Sequence, residues 1–211
     1  EHGADLYDYV RELQPNILIN NRVDKGRKGM HGGTKDRAVY RGDFDTPEQR
    51  VGLFQTDWPW ESCITICKQW AWKPNDQMKS LKQCIQTLVK TVGGDGNLLF
   101  NVGPMPDERI EPRQVERLRE MGQWLEKYGE TIYARRGGPF KPGSWGASTH
   151  WCNIIYVHVL NWPGDTLRLP PIPKKITDSS ILTGGTVEVK QTDEAIEISV
   201  PKEHRDEIDT I

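Results

Sequence analysis

Three short apolar runs without in/out alternation, Ile17-Leu18-Ile19-Asn20, Ser62 to Cys67 and Asn97 to Val102, narrow what this chain can become more than any other feature. Strands buried on both faces read this way, and sheets covered on both faces are characteristically parallel, with helices as their connections. Helical stripes stand between the runs. Ala4, Leu6, Tyr7, Val10 and Leu13 mark a helix that must stop at Gln14-Pro15, because the residue before proline is pushed out of the helical region. Leu81, Ile85, Leu88 and Val92 mark a second, expected to be capped by Asn75 and to end at Gly93-Gly94. Val115, Leu118, Met121, Leu125 and Tyr128 mark a third, opened by Pro112. The polar stretch from Arg22 to Gly33 reads mostly as a solvated, flexible connection. Helix and strand therefore alternate as in a parallel α/β sheet or barrel.

From Gly137 the pattern changes. Gly137 to Gly143 reads as a linker, after which Ile154 to Leu160, Thr166 to Leu169, Val187/Val189 and Ile196/Ile198/Val200 suggest short antiparallel strands. A small β-sandwich is expected, with the domain boundary at residues 138–142. The sequence opens on Glu1 inside a helical pattern and closes on the strand-like Ile208-Asp209-Thr210-Ile211. It is therefore expected to be part of a longer protein, and it carries no targeting segment.

Charge and cysteines exclude several functions. Lys plus Arg is 28 and Asp plus Glu is 30, a net charge of −2 that gives no electrostatic case for nucleic acid or an anionic bilayer. If Cys63 and Cys67 share a strand, their Cα atoms stand roughly 13 Å apart. A disulfide between them is then excluded. No cysteine pair has zinc-site spacing beside a histidine, and Gly93-Gly94-Asp95-Gly96 precedes a strand instead of a helix, so neither a metal nor a nucleotide cofactor is expected.

Ligands of parallel α/β folds bind beyond the carboxyl ends of the strands. The residues to weigh are Asn20-Asn21-Arg22, Asp43 to Glu48, Trp60-Glu61 and Asn101 to Pro104. The chain has 8 Trp, and Trp58, Trp60, Trp70 and Trp72 lie close together beside these carboxylates. Tryptophan packs against the C–H faces of sugars, and glycoside hydrolysis runs on paired carboxylates. The same cluster also fits a packed corner.

The motifs decide between these readings. Leu18-Ile19-Asn20-Asn21-Arg22, Gly42 to Gln49, Trp60-Glu61-Ser62-Cys63, Gly94 to Pro104 and Trp124 to Glu130 follow one another in an order that resembles the glycoside hydrolase family 29 α-L-fucosidases, as does Tyr156 to Trp162. The resemblance implies the C-terminal part of a (β/α)8-like barrel, residues 1–138, followed by an all-β sandwich, residues 139–211. It implies removal of terminal α-L-fucose from fucosylated glycans with retention, by an Asp nucleophile and a separate Glu acid/base, without cofactor or metal, in a periplasmic or extracellular setting. Glu48 matches the acid/base; Arg22, Trp60, Glu61 and Trp70 match groups that bind fucose or orient the site. By local setting alone Glu61, beside Trp60, looks like the better acid. The chain departs from the family at Cys67-Lys68-Gln69, where an Asn-containing turn is usual, and at Asp107-Glu108, where Asp-Gly is usual. The nucleophile is expected upstream of residue 1, which makes the isolated chain inactive by expectation. The alternative is a non-catalytic carbohydrate-binding relative with the same fold.

Overall fold

β1, Glu61–Thr65, and β2, Asn97–Asn101, pair in parallel from Glu61↔Asn97 to Thr65↔Asn101 in the computed structural model, which describes residues 2–211. The parallel pairing continues beyond these strands. Asp45 and Glu48 bridge to Trp60 and Cys63, and Asn20 bridges to Phe44, so four successive segments run side by side in chain order. Backbone bonds stitch them: Asn21 N–H to Phe44 at 3.0 Å, Asp45 N–H to Pro59 at 3.0 Å, and Cys63 N–H to Pro47 at 2.9 Å. This is the parallel α/β pattern the apolar runs suggest.

Two expectations change here. The run Ile17–Asn20 is not a buried strand: Leu18 is 76% exposed, and the backbone ties to its neighbour only around Ile19–Asn21. Nor is β2 covered on both faces, since Leu99 is 44% exposed. In β1, Ser62 and Ile64 are buried while Glu61 and Cys63 are half-buried. Successive strand residues face opposite ways, so one face of the array is covered and the other is open.

α1, Gly3–Leu13, has no buried residue and is held through polar side chains. Tyr7 Oη donates to Asp43 at 2.7 Å, Arg11 pairs with the same carboxylate, and the Ile19 N–H donates to it at 2.7 Å. Burial opposes the charge on Asp43, but these donors outweigh it and hold the carboxyl below its usual range.

By internal contacts the chain divides into two units: residues up to Met78 with Gly94–Val115, and Lys79–Gly93 with Glu116–Ile211. The sequence reading instead divides it once, at 138–142. In the second unit α2, Leu81–Gly93, begins later than Asn75. Its N-terminus is set by Ser80 and Gln83: Gln83 N–H donates to Ser80 Oγ at 3.2 Å, and Ser80 N–H donates back to Gln83 Oε1 at 2.8 Å. Two orphan amide donors are satisfied reciprocally. Asn75 sits at φ 55 in the turn before. α3, Pro112–Tyr128, starts and ends as its proline and apolar stripe predict.

β3, Arg136–Gly137, β4, Gly146–Trp151, and β5, Ile154–Val159, form one antiparallel sheet. β6, Thr166–Leu169, β7, Glu188–Gln191, and β8, Ile196–Ser199, form another, in the order β6-β8-β7. Phe140, Val159, Leu167, Leu169 and Ile196 make a core fed by both sheets. Phe140 therefore belongs to the interior and not to a linker: its N–H and C=O both bond Ser148 Oγ at 3.0 Å. At Gly146, φ +148, a Cβ would fall 1.9 Å from the His158 carbonyl oxygen, so β4 can start there only with glycine. The C-terminal residues bridge β5 at Val159↔Thr210, and beside that bridge His158 Nδ1 meets Asp209 Oδ2 at 2.7 Å with both side chains fully buried.

Candidate active site

The open face of the parallel array carries a cleft of about 380 Å³. Its floor is the alternation of β1: Glu61 and Cys63 project into it, and Leu99, opposite Cys63 in the register, adds an apolar wall. Asn20, Arg22, Thr46 and Glu48 rise from the segments on one side, and Trp70 from the turn after β1. Arg22, Glu48, Glu61 and Trp70, four of the five residues singled out in the sequence, thus line one concavity. A larger hollow of about 820 Å³ lies between residues 171–179 and the β7 edge. It combines no aromatic ring with paired carboxylates, so the smaller cleft is the chemically suited one.

Glu48 is the most firmly held carboxylate. Its Oε2 accepts from Arg22 Nη2 at 2.8 Å and from Arg27 Nη2 at 3.2 Å. Both bonds fall on one oxygen, leaving Oε1 without a bond to the protein among the described residues. The backbone beneath is pinned from two sides: the Glu48 N–H donates to Met30, and the Gln49 N–H donates to Cys63 at 2.9 Å. Burial, with the negative charges of Glu48 and Glu61, pushes the Cys63 thiol above its usual pKa against the opposing pull of Arg22. All four cysteines are free thiols, although the strand that carries Cys63 ends at Thr65, before Cys67.

The loop Arg22–Gly33 is ordered by a buried polar network instead of being a flexible connection. Asp45 Oδ1 accepts from Thr34 N–H at 3.0 Å, Thr34 Oγ1 at 2.7 Å and Asn21 Nδ2 at 3.1 Å, while its Oδ2 accepts from Arg37 at 2.6 Å. Thr46 Oγ1 donates to Asn21 Oδ1 at 2.9 Å. Gly32, φ +73, lets the loop lie against the 46–47 backbone; a Cβ there would come within 2.1 Å of Pro47 N. Buried polar groups with full partner sets fix a geometry, and here they fix the approach of Arg27 to Glu48.

Trp60 is not in the cleft. It is 3% exposed, and its ring lies on the opposite face from Glu61, where a Cβ on Gly96 would come within 2.3 Å of it. The alternation of neighbouring strand residues separates the pair, and with it goes the aromatic setting that favoured Glu61 as the acid. Trp70 is 39% exposed, its carbonyl accepting Asn101 Nδ2 at 2.9 Å. The divergent turn Cys67-Lys68-Gln69 is closed by Asp76, which accepts the Gln69 N–H at 2.8 Å and the Gln77 N–H at 2.9 Å. Those backbone donors hold its carboxyl below the usual range. Gly103 admits the Trp70-Ala71-Trp72 backbone, with 2.4 Å from a would-be Cβ to Trp72 N. Arg27 and Asp76 are not marked by the sequence, and the bonding roles of Asp45 and Cys63 are not legible in it, because these come from non-local bonds with no periodic signal. The described residues hold no group of three or more His, Cys, Asp or Glu that could bind a metal.

Comparison with known proteins identifies the family. The family profile for α-L-fucosidase matches residues 1–130. An α-L-fucosidase of Branchiostoma floridae is 36% identical over 172 residues, covering 75% of this chain and 35% of its own. Among solved structures, α-L-fucosidase isoenzyme 1 of Paenibacillus thiaminolyticus superposes with a TM-score of 0.80 at 27% identity, covering 99% of this chain and 52% of its own. A Bacteroides thetaiotaomicron enzyme of glycoside hydrolase family 29, trapped as a covalent intermediate with 2-fluoro-fucosyl fluoride in a glutamate-to-glutamine variant, follows at 0.76 and 29%, covering 95% and 49%. The chain thus spans about a third of the first relative's length and about half of each of these two structures.

Proposed function

The chain belongs to the α-L-fucosidase family, and from that premise we propose that it forms the C-terminal portion of a retaining exo-α-L-fucosidase, with Glu48 as the acid/base. The observation that carries the reading is the convergence of Glu48, Glu61, Arg22 and Trp70 on one cleft. In this reading the four parallel segments are the later strands of a (β/α)8-like barrel, their open face is its interior, and residues 139–211 are the sandwich. The covalent intermediate of the Bacteroides relative supports retention; the Asp nucleophile that the family resemblance implies would then come from sequence preceding residue 1.

Glu48 protonates the glycosidic oxygen as the bond to the anomeric carbon breaks and the upstream Asp attacks that carbon. It then takes a proton from the water that releases fucose. Arg22 orients the carboxylate, Glu61 on the cleft floor orders sugar hydroxyls, and Trp70 offers a face for the apolar side of fucose. Trp60 supports the floor from behind.

Glu48→Ala in the full-length protein is expected to lower turnover of natural fucosides by roughly 100-fold to 10,000-fold. Azide should restore part of the rate on an activated aryl fucoside. An unchanged rate would move the acid/base role to Glu61. A full-length protein that binds fucosides without turning them over would favour the non-catalytic alternative.

A further inference from the structure

We propose that Arg27 is a positioning residue for Glu48, bracing the carboxylate and its own backbone segment as one rigid unit; the inference rests on Glu48 being the acid/base. Arg27 contacts that segment three times. Its Nε donates to Thr46 Oγ1 at 2.8 Å, and its Nη2 donates to the Thr46 carbonyl at 2.7 Å and to Glu48 Oε2 at 3.2 Å. The planar guanidinium fork thus ties the Thr46 hydroxyl and carbonyl to the Glu48 carboxylate two residues on, a geometry an ammonium cannot reproduce.

What stands behind Arg27 is equally fixed. Thr46 is 3% exposed and bonds Asn21, which is 1% exposed and itself donates to Gly32 O at 2.6 Å and to Asp45. Arg22, by contrast, holds Glu48 by one bond from a side chain 41% exposed, against 15% for Arg27. The two guanidinium groups also crowd each other: burial first, then the charge of Arg22, pull the Arg27 pKa down, and Glu48 opposes both. Like charges held together at a cost, on one carboxylate oxygen in a cleft, mark a site built for position more than for stability. The consequence concerns proton delivery. A carboxyl that must meet the leaving oxygen during bond cleavage gains from a fixed torsion, and a misplacement of about 1 Å can cost on the order of 100-fold in rate.

The test uses the full-length protein, two variants and two substrates: a natural fucoside, whose poor leaving group needs the proton, and an activated aryl fucoside, which does not. Arg27→Met is expected to lower kcat on the natural fucoside by roughly 100-fold, with a much smaller loss on the aryl fucoside and little change in KM. Arg27→Lys keeps the charge and the fold but not the fork, and should show the same leaving-group dependence at smaller amplitude. The charged groups about the carboxyl are Arg22, Arg27 and Glu61, with the Cys63 thiol beside them. Removing one positive charge should move the alkaline limb of kcat/KM to higher pH in Arg27→Met and not in Arg27→Lys. Equal losses on both substrates, or none in either variant while Glu48→Ala lowers turnover of the natural fucoside as expected, would overturn the role of Arg27 and leave Glu48 standing. An unaffected Glu48→Ala would overturn both.

Discussion

Asp45 shows how a single side chain can decide whether this site exists. Four donors converge on it, and it is 7% exposed. Removing the carboxylate leaves the buried Thr34 N–H and hydroxyl without their acceptor, and an unsatisfied buried donor costs about 1–3 kcal/mol. Asp45→Ala should therefore lower the urea midpoint of the folded protein sharply and loosen the Arg22–Gly33 loop, seen as faster amide exchange there. Trp70 is the contrasting case. Its exposed ring lines the cleft, so Trp70→Ala should raise KM for fucosides while leaving the melting temperature nearly unchanged. The sequence reading found the residues that project from the open face because carboxylates, arginine and tryptophan at strand ends are unusual enough to notice. It misplaced Trp60 by treating chain neighbours as spatial neighbours, which a strand forbids. Arg27 was invisible, since nothing in a run of charged and glycine residues reveals which one will reach Glu48.

The helices were legible and the strands less so. Apolar spacing and Pro112 located α3, but α2 shows how a cap can be misjudged. Asn75 is a good capping residue in isolation; Ser80 with Gln83 three places on is the reciprocal pattern that the chain uses. Ser80→Ala is expected to cost about 1 kcal/mol, and a shift in thermal midpoint would register it. Asn75→Ala should leave the α2 N-terminus intact, its cost coming instead from placing alanine at φ 55, where asparagine is tolerated. β4 escaped notice because Gly146-Ala147-Ser148-Thr149 has almost no apolar signal: its small side chains are buried, Ala147 fitting against Gly93 of α2. Residues 137–143 looked like a linker for their glycines and prolines, although Phe140 within them is part of the core. Small residues mark close packing as readily as they mark flexibility.

At the scale of the whole molecule, acid acts with mixed sign. Asp43, Asp76, Asp107 and Glu111 have pKa values lowered on folding, so each contributes stability that is present above its unfolded pKa and lost as pH falls through the folded one. Asp209 runs the other way: burial raises its pKa, the contact with His158 only partly offsets this, and its cost grows as pH rises from the unfolded value through the folded one. Stability should fall below about pH 4, where carboxylates protonate. Asp209→Asn should remove the opposing slope, so urea midpoints taken from pH 3 to 7 would drop more steeply toward acid than in the parent. The 211-residue chain by itself, with Leu18 and Leu99 exposed on the outer segments of the parallel array, should show no fucoside turnover and should self-associate on light scattering.

The two units interleave along the chain, which crosses between them after Met78, Gly93 and Val115. No single cut yields either one whole, so neither can be lifted out as a cassette and joined to another gene. On the ribosome the first unit waits for residue 115 before it can close, with the α2 stretch already made and still lacking the strands it belongs with.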